Sequence, residues 1–256
     1  MLILTTAIGY SKGELSIFYD SLVGTGFDGD LVVVGDAPCL KDRGAIMIKD
    51  HDSRHTVNFR RWKAYSEFLK GVKEPVVLTD VRDVVFQKNP AEYMPKEGVN
   101  VFEEVEYKTI GNCIFNHQWM SDLGITKWDD KTILCSGVSS GVLDEYSLAM
   151  WKSIEFLRPV DSKPKHQGGD QAIHNNLIYS GFPAIIHKNE DAEVYTVGHL
   201  PLESVKVEDD FIVNKKGERP CMVHMYDRHV NLTASVMYRL GLDMKIFKST
   251  LKGAMV

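Results

Sequence analysis

The sequence predicts an α/β fold, with an open, mostly parallel mixed sheet flanked by helices in a single domain over residues 1–256. Short apolar runs alternate with amphipathic segments through the first 80 residues, as expected for parallel strands joined by helices. No linker, repeat or low-complexity tract interrupts the chain. The charged fraction of 25% and the hydrophobic fraction of 44% are those of a globular protein, and they exclude a disordered chain.

The first half contains the regular part of this pattern. Apolar residues at helical spacing predict two helices, and short apolar runs predict buried strands. The helices cover residues 12–22 and 56–69, and Gly24 and Gly26 end the first of them. The strands cover residues 2–8, 31–34, 45–48 and 75–78.

The second half is less regular, although it contains the same kinds of signal. A Gly/Ser-rich segment over residues 136–143 predicts a strand with a turn. Further helices are predicted over residues 146–156, 171–179 and 231–240. Further short strands are predicted over residues 99–102, 133–134, 184–186, 194–197 and 222–224.

Charge and cysteine content limit the partners. The chain has 30 Lys and Arg against 35 Asp and Glu, a net charge of −5, and no basic block, which argues against a nucleic-acid partner. Its four cysteines lack metal-finger spacing, so we expect free thiols in a reducing, cytoplasmic compartment. They are Cys39, Cys113, Cys135 and Cys221.

The two chain ends bear on membrane association. Residues 1–8 are apolar but too short for a signal peptide or a membrane span. Residues 245–256 are basic and partly amphipathic, so they are expected to pack on the domain, to contact anionic lipid or to join subunits, in that order. The sequence leaves the oligomeric state open.

Polar residues follow several predicted strands. Ligands bind outside the carboxyl ends of the strands in open parallel sheets. Thr5, Thr6, Asp36, Asp80 and Asp83 are therefore expected on one rim of the sheet. Asp36 can accept a hydrogen bond from a base or a ribose hydroxyl, and an ordinary turn aspartate is its alternative interpretation.

Two carboxylates interrupt the apolar residues 76–86. A carboxylate beside a buried strand is costly unless it is paired, hydrogen-bonded or metal-bound. Arg82 lies between Asp80 and Asp83, so a structural salt bridge is one interpretation. The other is a divalent cation that keeps coordination positions open for phosphate oxygens.

The order of these elements and the aspartate pair resemble nucleotide-sugar glycosyltransferases of the GT-A fold, whose hallmark is a DxD motif at a strand end. Asp83 matches the second aspartate, and Asp80 stands for the first across a spacer of two residues. Three later segments are similar to sugar-pocket, donor-side and metal-ligand motifs of that family. They are residues 134–138 (LCSGV), 168–175 (GGDQAIHN) and 222–228 (MVHMYDR).

The resemblance implies transfer of a sugar from a nucleotide diphosphate sugar, with UDP favoured, to a hydroxyl acceptor such as a glycan. It implies Mn²⁺ or Mg²⁺ as cofactor, held by Asp80, Asp83 and His224. Residues 1–90 would form the nucleotide-binding half, and residues 91–256 the sugar and acceptor half.

Further site residues come from the same resemblance. Arg60, Arg61 or Lys63 would face the diphosphate, with arginine favoured by its bidentate bonds, and a solvated helix face is the alternative. Asp170 would be the catalytic carboxylate, as general base or as stabiliser of the sugar, and helix N-capping is its alternative. Gln171 would lie near the donor sugar, and Trp119 or Trp128 could offer a stacking face.

Two other functions remain open from the sequence. A sugar-phosphate nucleotidyltransferase would need a Gly-rich basic loop after the first strand, and residues 5–13 (TTAIGYSKG) are a poor version of one. The displaced aspartate spacing and Cys135, which stands where the sugar-pocket motif has asparagine, favour an inactive nucleotide-sugar-binding module instead.

Overall fold

The computed structural model describes residues 1–50, 55–157 and 168–242. The basic segment predicted over residues 245–256 lies outside them. The central sheet has seven strands, and their spatial order is β3-β2-β1-β4-β7-β6-β8. In chain order they are β1 (Leu2–Ala7), β2 (Asp30–Gly35), β3 (Ile46–Ile48), β4 (Val76–Thr79), β6 (Val99–Glu103), β7 (Leu134–Gly141) and β8 (Ile185–His187).

The predicted open, mostly parallel mixed sheet is confirmed. Strands β1 to β4 pair in parallel, and β8 is parallel to β6. Strand β7 is antiparallel to both of its neighbours, β4 and β6. The separate strands predicted over residues 133–134 and 136–143 are therefore wrong, because they form the single strand β7 across the middle of the sheet.

Eight α-helices occur in the described parts of the chain. They are α1 (Lys12–Gly24), α2 (Pro38–Lys41), α3 (Val57–Phe68), α4 (Pro90–Tyr93), α5 (Ile114–Asp122), α6 (Asp144–Leu157), α7 (Gly169–Tyr179) and α8 (Val230–Arg239). Ser11 and Glu14 form a capping box that fixes the start of α1. None of the helices described has the length and apolarity needed to cross a lipid bilayer.

Alternate residues of the strands pack on the two faces of the central sheet. In β1, Ile3 lies in the apolar cluster with Phe18 of α1, whereas Leu4 lies in the cluster with Phe59 and Trp62 of α3. Successive side chains of a strand point to opposite faces. Helices on both faces therefore bury the apolar strands that the sequence contains.

A second sheet of three short strands lies beside the central one. It has the order β5-β12-β9, with β5 at Val84–Phe86, β9 at Val194–Thr196 and β12 at Met222–His224. Strand β12 is antiparallel to β5 and parallel to β9. A separate hairpin joins β10 (Lys206–Glu208) to β11 (Phe211–Val213). This small sheet determines where two of the candidate metal ligands lie.

Candidate active site

Asp80, Asp83 and His224 converge at the junction of the two sheets. Each offers one ligand atom, and these atoms lie within 4.8 Å of one another. Asp80 follows β4 of the central sheet, whereas Asp83 precedes β5 and His224 ends β12. The pairing of β5 with β12 places His224 opposite Val84 and thus beside Asp83. We call these three residues the metal cluster.

The imidazole of His224 is held from its other side. Its Nδ1 atom lies 3.3 Å from the Cys135 sulfur and 3.4 Å from the Thr196 hydroxyl. Its Nε2 atom lies 3.8 Å from one carboxylate oxygen each of Asp80 and Asp83. The ring therefore turns one nitrogen toward protein neighbours and the other toward the two carboxylates.

The pKa values of the cluster reflect burial and mutual attraction. Burial opposes the charged form of His224, but Cys135 and the two carboxylates outweigh it and raise its pKa. Burial also opposes ionisation of Asp80, yet Arg61 and His224 lower the pKa of that carboxyl group. For Asp83, burial prevails over the attraction of His224 and raises the pKa.

The donor set fits a divalent cation. Asp83 is nearly buried, yet its ion pairs to His224 and Arg228 measure 3.8 and 3.9 Å, too long for hydrogen bonds. A Cβ atom at Gly137 would lie 2.6 Å from Asp80 Oδ2 and 2.8 Å from His224 Nε2, so the glycine keeps space open beside the ligand atoms. Two carboxylates and one imidazole suit Mn²⁺, and the carboxylates suit Mg²⁺.

The salt-bridge interpretation of the aspartate pair is wrong. Arg82 does not pair with Asp80 or Asp83, because its guanidinium turns to Asp227 at 3.3 Å. Arg228 also approaches Asp227, at 3.7 Å. The arginine between the two carboxylates in sequence therefore pairs with neither of them, and only Asp80 has a close ion pair, through its Oδ1 atom to Arg61.

Arg61 connects the metal cluster to the candidate catalytic carboxylate. Its Nη1 atom lies 2.5 Å from Asp80 Oδ1, and its Nη2 atom lies 2.6 Å from Asp170 Oδ2. Burial opposes the charge of this guanidinium, but Asp170 and Asp80 outweigh burial and raise the pKa of Arg61. The group predicted to face a diphosphate is thus bonded to two carboxylates.

Asp170 is almost fully buried in the first turn of α7. Its Oδ2 atom accepts from Arg61 and, at 3.5 Å, from the indole N–H of Trp62. Burial raises the pKa of Asp170 in spite of Arg61. The N-capping alternative is wrong, because Gly168 occupies the N-cap and no side chain caps the helix.

The two glycines before Asp170 lie against aromatic rings. A Cβ atom at Gly168 would lie 2.3 Å from the Trp119 ring, and one at Gly169 would lie 2.6 Å from the Phe59 ring. Gln171 follows, and its amide donates to Asn116 at 3.0 Å. The start of α7 is therefore packed tightly against its neighbours, which fixes the position of Asp170.

Two adjoining cavities meet at the metal cluster. One has a volume of about 540 Å³ and the other of about 670 Å³, and Asp80, Asp83, Arg61, Trp119 and Arg228 line both. The larger cavity extends mainly along residues of the first half. It is also lined by Thr6, Tyr10, Thr56, Val57, Val81 and Arg82. The smaller cavity extends along the second half, with Glu104, Phe115, Asn116, Ser136, Gln171 and His199 in its lining.

Three predicted nucleotide-binding residues lie outside the lining of these cavities. Thr5 is fully buried, and its hydroxyl donates to the Thr79 carbonyl at 2.7 Å. Asp36 is exposed at the end of β2. Arg60 forms a salt bridge of 2.9 Å with Asp50. The single rim predicted for the five polar residues is therefore not formed as expected, although Thr6, Asp80 and Asp83 do line one cavity.

The sequence reasoning did not identify Glu104 and His199. Glu104 is buried, and its Oε2 atom lies 3.2 Å from His199 Nε2 in the wall of the smaller cavity. The strand-end rule that selected Asp80 could have found Glu104, because it follows β6 directly. His199 gave no such signal, since a loop brings it there.

The two tryptophans proposed as stacking faces differ in position. Trp119 on α5 lines both cavities. Trp128 packs on Tyr179, with ring centroids 6.0 Å apart, and its indole N–H donates to Asn176. It is not part of either lining. Of the two, Trp119 alone is placed to meet a ligand in these cavities.

Neither a protein-family model nor a curated protein matches the sequence. Among solved structures, the galactosyltransferase LgtC, in complex with donor and acceptor sugar analogues, has a similar fold. The similarity covers 97% of this chain and 96% of that chain, with a TM-score of 0.57 and 13% sequence identity. It confirms the predicted GT-A fold. At this identity it establishes the fold alone, so the chemistry has to be argued from the site.

Proposed function

We propose that the protein is a metal-dependent glycosyltransferase that moves a sugar from a nucleotide diphosphate sugar to a hydroxyl acceptor. The observation that carries this proposal is the metal cluster of Asp80, Asp83 and His224 where two cavities meet. A cation there adjoins space on one side for a nucleotide and on the other for a sugar and an acceptor. The shared fold with LgtC agrees with this arrangement.

The division of the chain into two halves follows from the same cavities. We assign the nucleotide, with UDP favoured, to the larger cavity, whose lining beside Thr6 and Tyr10 comes mainly from residues 1–90. We assign the sugar and the acceptor to the smaller cavity beside Asn116 and Gln171, lined mainly by residues 91–256. Arg228 lines both, so its positive charge would lie close to the diphosphate.

The leaving nucleoside diphosphate needs its charge neutralised. Mn²⁺ or Mg²⁺, held by Asp80, Asp83 and His224, supplies that electrophilic assistance when bound. Arg61 holds Asp80 from the far side of its carboxylate, through Oδ1, and thereby orients Oδ2 toward the cluster. The buried Arg61 thus acts as a positioning residue for one predicted metal ligand.

Asp170 is our candidate for the catalytic carboxylate. Arg61 and Trp62 both donate to its Oδ2 atom, so Oδ1 has no hydrogen-bond partner in the described residues. That oxygen could accept the proton of an acceptor hydroxyl in an inverting reaction, or stabilise positive charge on the sugar in a retaining one. Both roles need the fixed orientation that Arg61 and Trp62 provide.

The test is transfer or hydrolysis of UDP-sugars with Mn²⁺, with EDTA, and in the variant Asp83→Asn. We expect the activity to be lost in EDTA and in Asp83→Asn, and to return when excess Mn²⁺ replaces EDTA. Asp28→Asn is the matched control, because Asp28 is exposed and does not line these cavities. Full activity of Asp83→Asn, or of the enzyme in EDTA, would contradict the metal role.

The same assay separates the two alternative functions. Release of pyrophosphate from a nucleoside triphosphate and a sugar phosphate would identify a nucleotidyltransferase. The loop after β1 does not favour it, because the hydroxyl and backbone N–H of Ser11 both bind Glu14 rather than facing an open loop. Binding of the donor without turnover across many acceptors would identify an inactive binding module.

A cytoplasmic location is part of the proposal. All four cysteines are free thiols, and three of them are buried, which agrees with a reducing compartment. Cytosolic nucleotide sugars would then be the available donors. Fractionation of cells that express the full chain tests this location directly.

A further inference from the structure

A third cavity lies at the other end of the β5–β12 ladder from the metal cluster. It has a volume of about 430 Å³ and shares no lining residue with the two cavities of the candidate active site. Its charged lining residues are Lys88, Glu92, Arg219 and Arg239, and its aromatic ones are Phe86, Tyr93 and Phe211. We call it the arginine cavity.

Two guanidinium groups share one aromatic ring in this cavity. The Cζ atoms of Arg219 and Arg239 lie 4.1 and 4.6 Å from the ring centroid of Phe211. Neither arginine forms a salt bridge within the described residues. Burial and the charge of Arg219 lower the pKa of Arg239 to about 10 against the attraction of Asp210, so Arg239 remains cationic at neutral pH.

Neutral acceptors hold Arg239 in place. Its Nη2 atom donates to the Phe86 carbonyl at 3.2 Å, and its Nη1 atom donates to Gln87 Oε1 at 3.3 Å. Gln87 is itself buried and fixed to Ile212 of β11 by two hydrogen bonds of 2.8 Å. The guanidinium is therefore held in place by neutral acceptors and forms no salt bridge among the described residues, and the attraction of Asp210 does not offset the effects of burial and of Arg219 on its pKa.

The other charges in the lining do not balance the charge of Arg239. Lys88 forms a salt bridge of 3.0 Å with Glu193, so the negative charge of Glu193 is already paired with a lysine. Glu92 is the one carboxylate among the lining residues, and it is exposed and accepts a hydrogen bond from Asn89. The cavity thus concentrates positive charge in a protein whose net charge is −5. An anion would relieve the repulsion between Arg219 and Arg239.

We propose that the arginine cavity binds the phosphate group of a small phosphorylated molecule or of a phospholipid head group. Two guanidinium forks match phosphate oxygens, and a phosphate monoester with a charge of about −1.5 to −2 suits two cations that form no salt bridge among the described residues. The volume is within the range of pockets that accept small ligands. The exposed ring of Tyr93 in the same lining offers an apolar surface to the rest of the molecule.

The test is calorimetric titration of the full chain with inorganic phosphate in the presence of EDTA, which keeps the metal cluster free of cations. We expect the wild type to bind, and Arg219→Gln and Arg239→Gln each to bind about tenfold more weakly or worse, because each loses charge-assisted hydrogen bonds. Arg43→Gln is the matched control, since Arg43 already pairs with Asp20 and does not line the cavity.

A second measurement identifies the source of the phosphate. Sedimentation with phosphatidylcholine vesicles, with and without phosphatidylglycerol, reports whether a lipid head group is bound. Binding that depends on phosphatidylglycerol and on Arg219 supports the lipid source, and binding of inorganic phosphate without vesicle binding supports the soluble one. The proposal is overturned if neither ligand binds, or if Arg219→Gln binds as tightly as the wild type does. Because Arg219 is exposed, its variant tests the site even if Arg239→Gln fails to fold.

Discussion

The two ends of the β5–β12 ladder have opposite character. At one end Asp83 and His224 belong to the metal cluster, and at the other Gln87 positions Arg239 in the arginine cavity. The ends are separated by one strand of three residues, which extends about 10 Å. Backbone pairing therefore sets the spacing of two sites, while the residues just beyond the strands give one an affinity for cations and the other an affinity for anions.

The buried Arg61 at one end and the half-buried Arg239 at the other differ in their partners. Arg61 lies between Asp80 and Asp170, with a carboxylate oxygen bonded to each terminal nitrogen. Arg239 bonds to a carbonyl and an amide oxygen, and it shares the Phe211 ring with Arg219. The difference indicates that Arg61 completes a structural network, whereas Arg239 remains available for a ligand.

Replacing each of these two arginines by glutamine should change the free energy of unfolding by very different amounts. Arg61→Gln leaves the buried Asp170 and the half-buried Asp80 without their cation, so we expect it to lower the free energy of unfolding by about 3–5 kcal/mol. Arg239→Gln loses hydrogen bonds to neutral acceptors and relieves repulsion from Arg219, so a change of about 1 kcal/mol or less is expected. Urea unfolding in phosphate-free buffer with EDTA measures both. Equal losses for the two variants would contradict the contrast.

A substitution at Gly137 should weaken the binding of Mn²⁺ at the metal cluster. Gly137→Ala would place a methyl group against Asp80 and His224, so we expect the affinity for Mn²⁺ to fall by about 10–100-fold. Gly24→Ala is the control at the opposite end, because Gly24 lines the arginine cavity and a Cβ atom there meets nothing within 4 Å. The shift in thermal midpoint with Mn²⁺ concentration measures the affinity of each of the two variants for Mn²⁺. Unchanged binding in Gly137→Ala would argue against these residues as metal ligands.

Removing the Cys135 thiol beside His224 should lower the affinity for Mn²⁺ only slightly. Cys135→Ala removes one neighbour of the Nδ1 atom but leaves the Thr196 hydroxyl at 3.4 Å. We therefore expect the affinity for Mn²⁺ to fall by less than about tenfold. Cys135→Ser, which retains a polar atom, should lie closer to the wild type in the same titration. A loss in Cys135→Ala greater than that in Gly137→Ala would show that the thiol has a more direct role.

The sequence predicted the regular elements well. The alternation of apolar strands and amphipathic helices over the first 80 residues gave β1 to β4, α1 and α3 within a few residues, because each buries one clear apolar pattern. Helix α5 was missed. Its apolar residues Ile114 and Phe115 are exposed, so it lacks the apolar stripe by which an amphipathic helix is recognised.

The candidate site was predicted in part. Asp80, Asp83 and His224 were identified from their positions next to apolar strands, and the structure brings them together. Thr5 and Asp36 were selected by the same strand-end rule and do not line the cavities, because the rule does not specify which side chains turn inward. The salt bridge from Arg61 to Asp170 joins residues 109 positions apart, and no local sequence pattern predicts such a contact.

The amino-acid sequence alone determined the fold class, the order of the regular elements and the residue types able to bind a cation. These properties depend on local periodicity and on side-chain chemistry, which the sequence contains directly. Tertiary structure decided which charged groups meet: Arg82 turns away to Asp227, Arg61 bridges two carboxylates, and Arg219 joins Arg239 on one ring. Such pairings depend on strand register and helix packing, since these set distances between residues far apart in the chain.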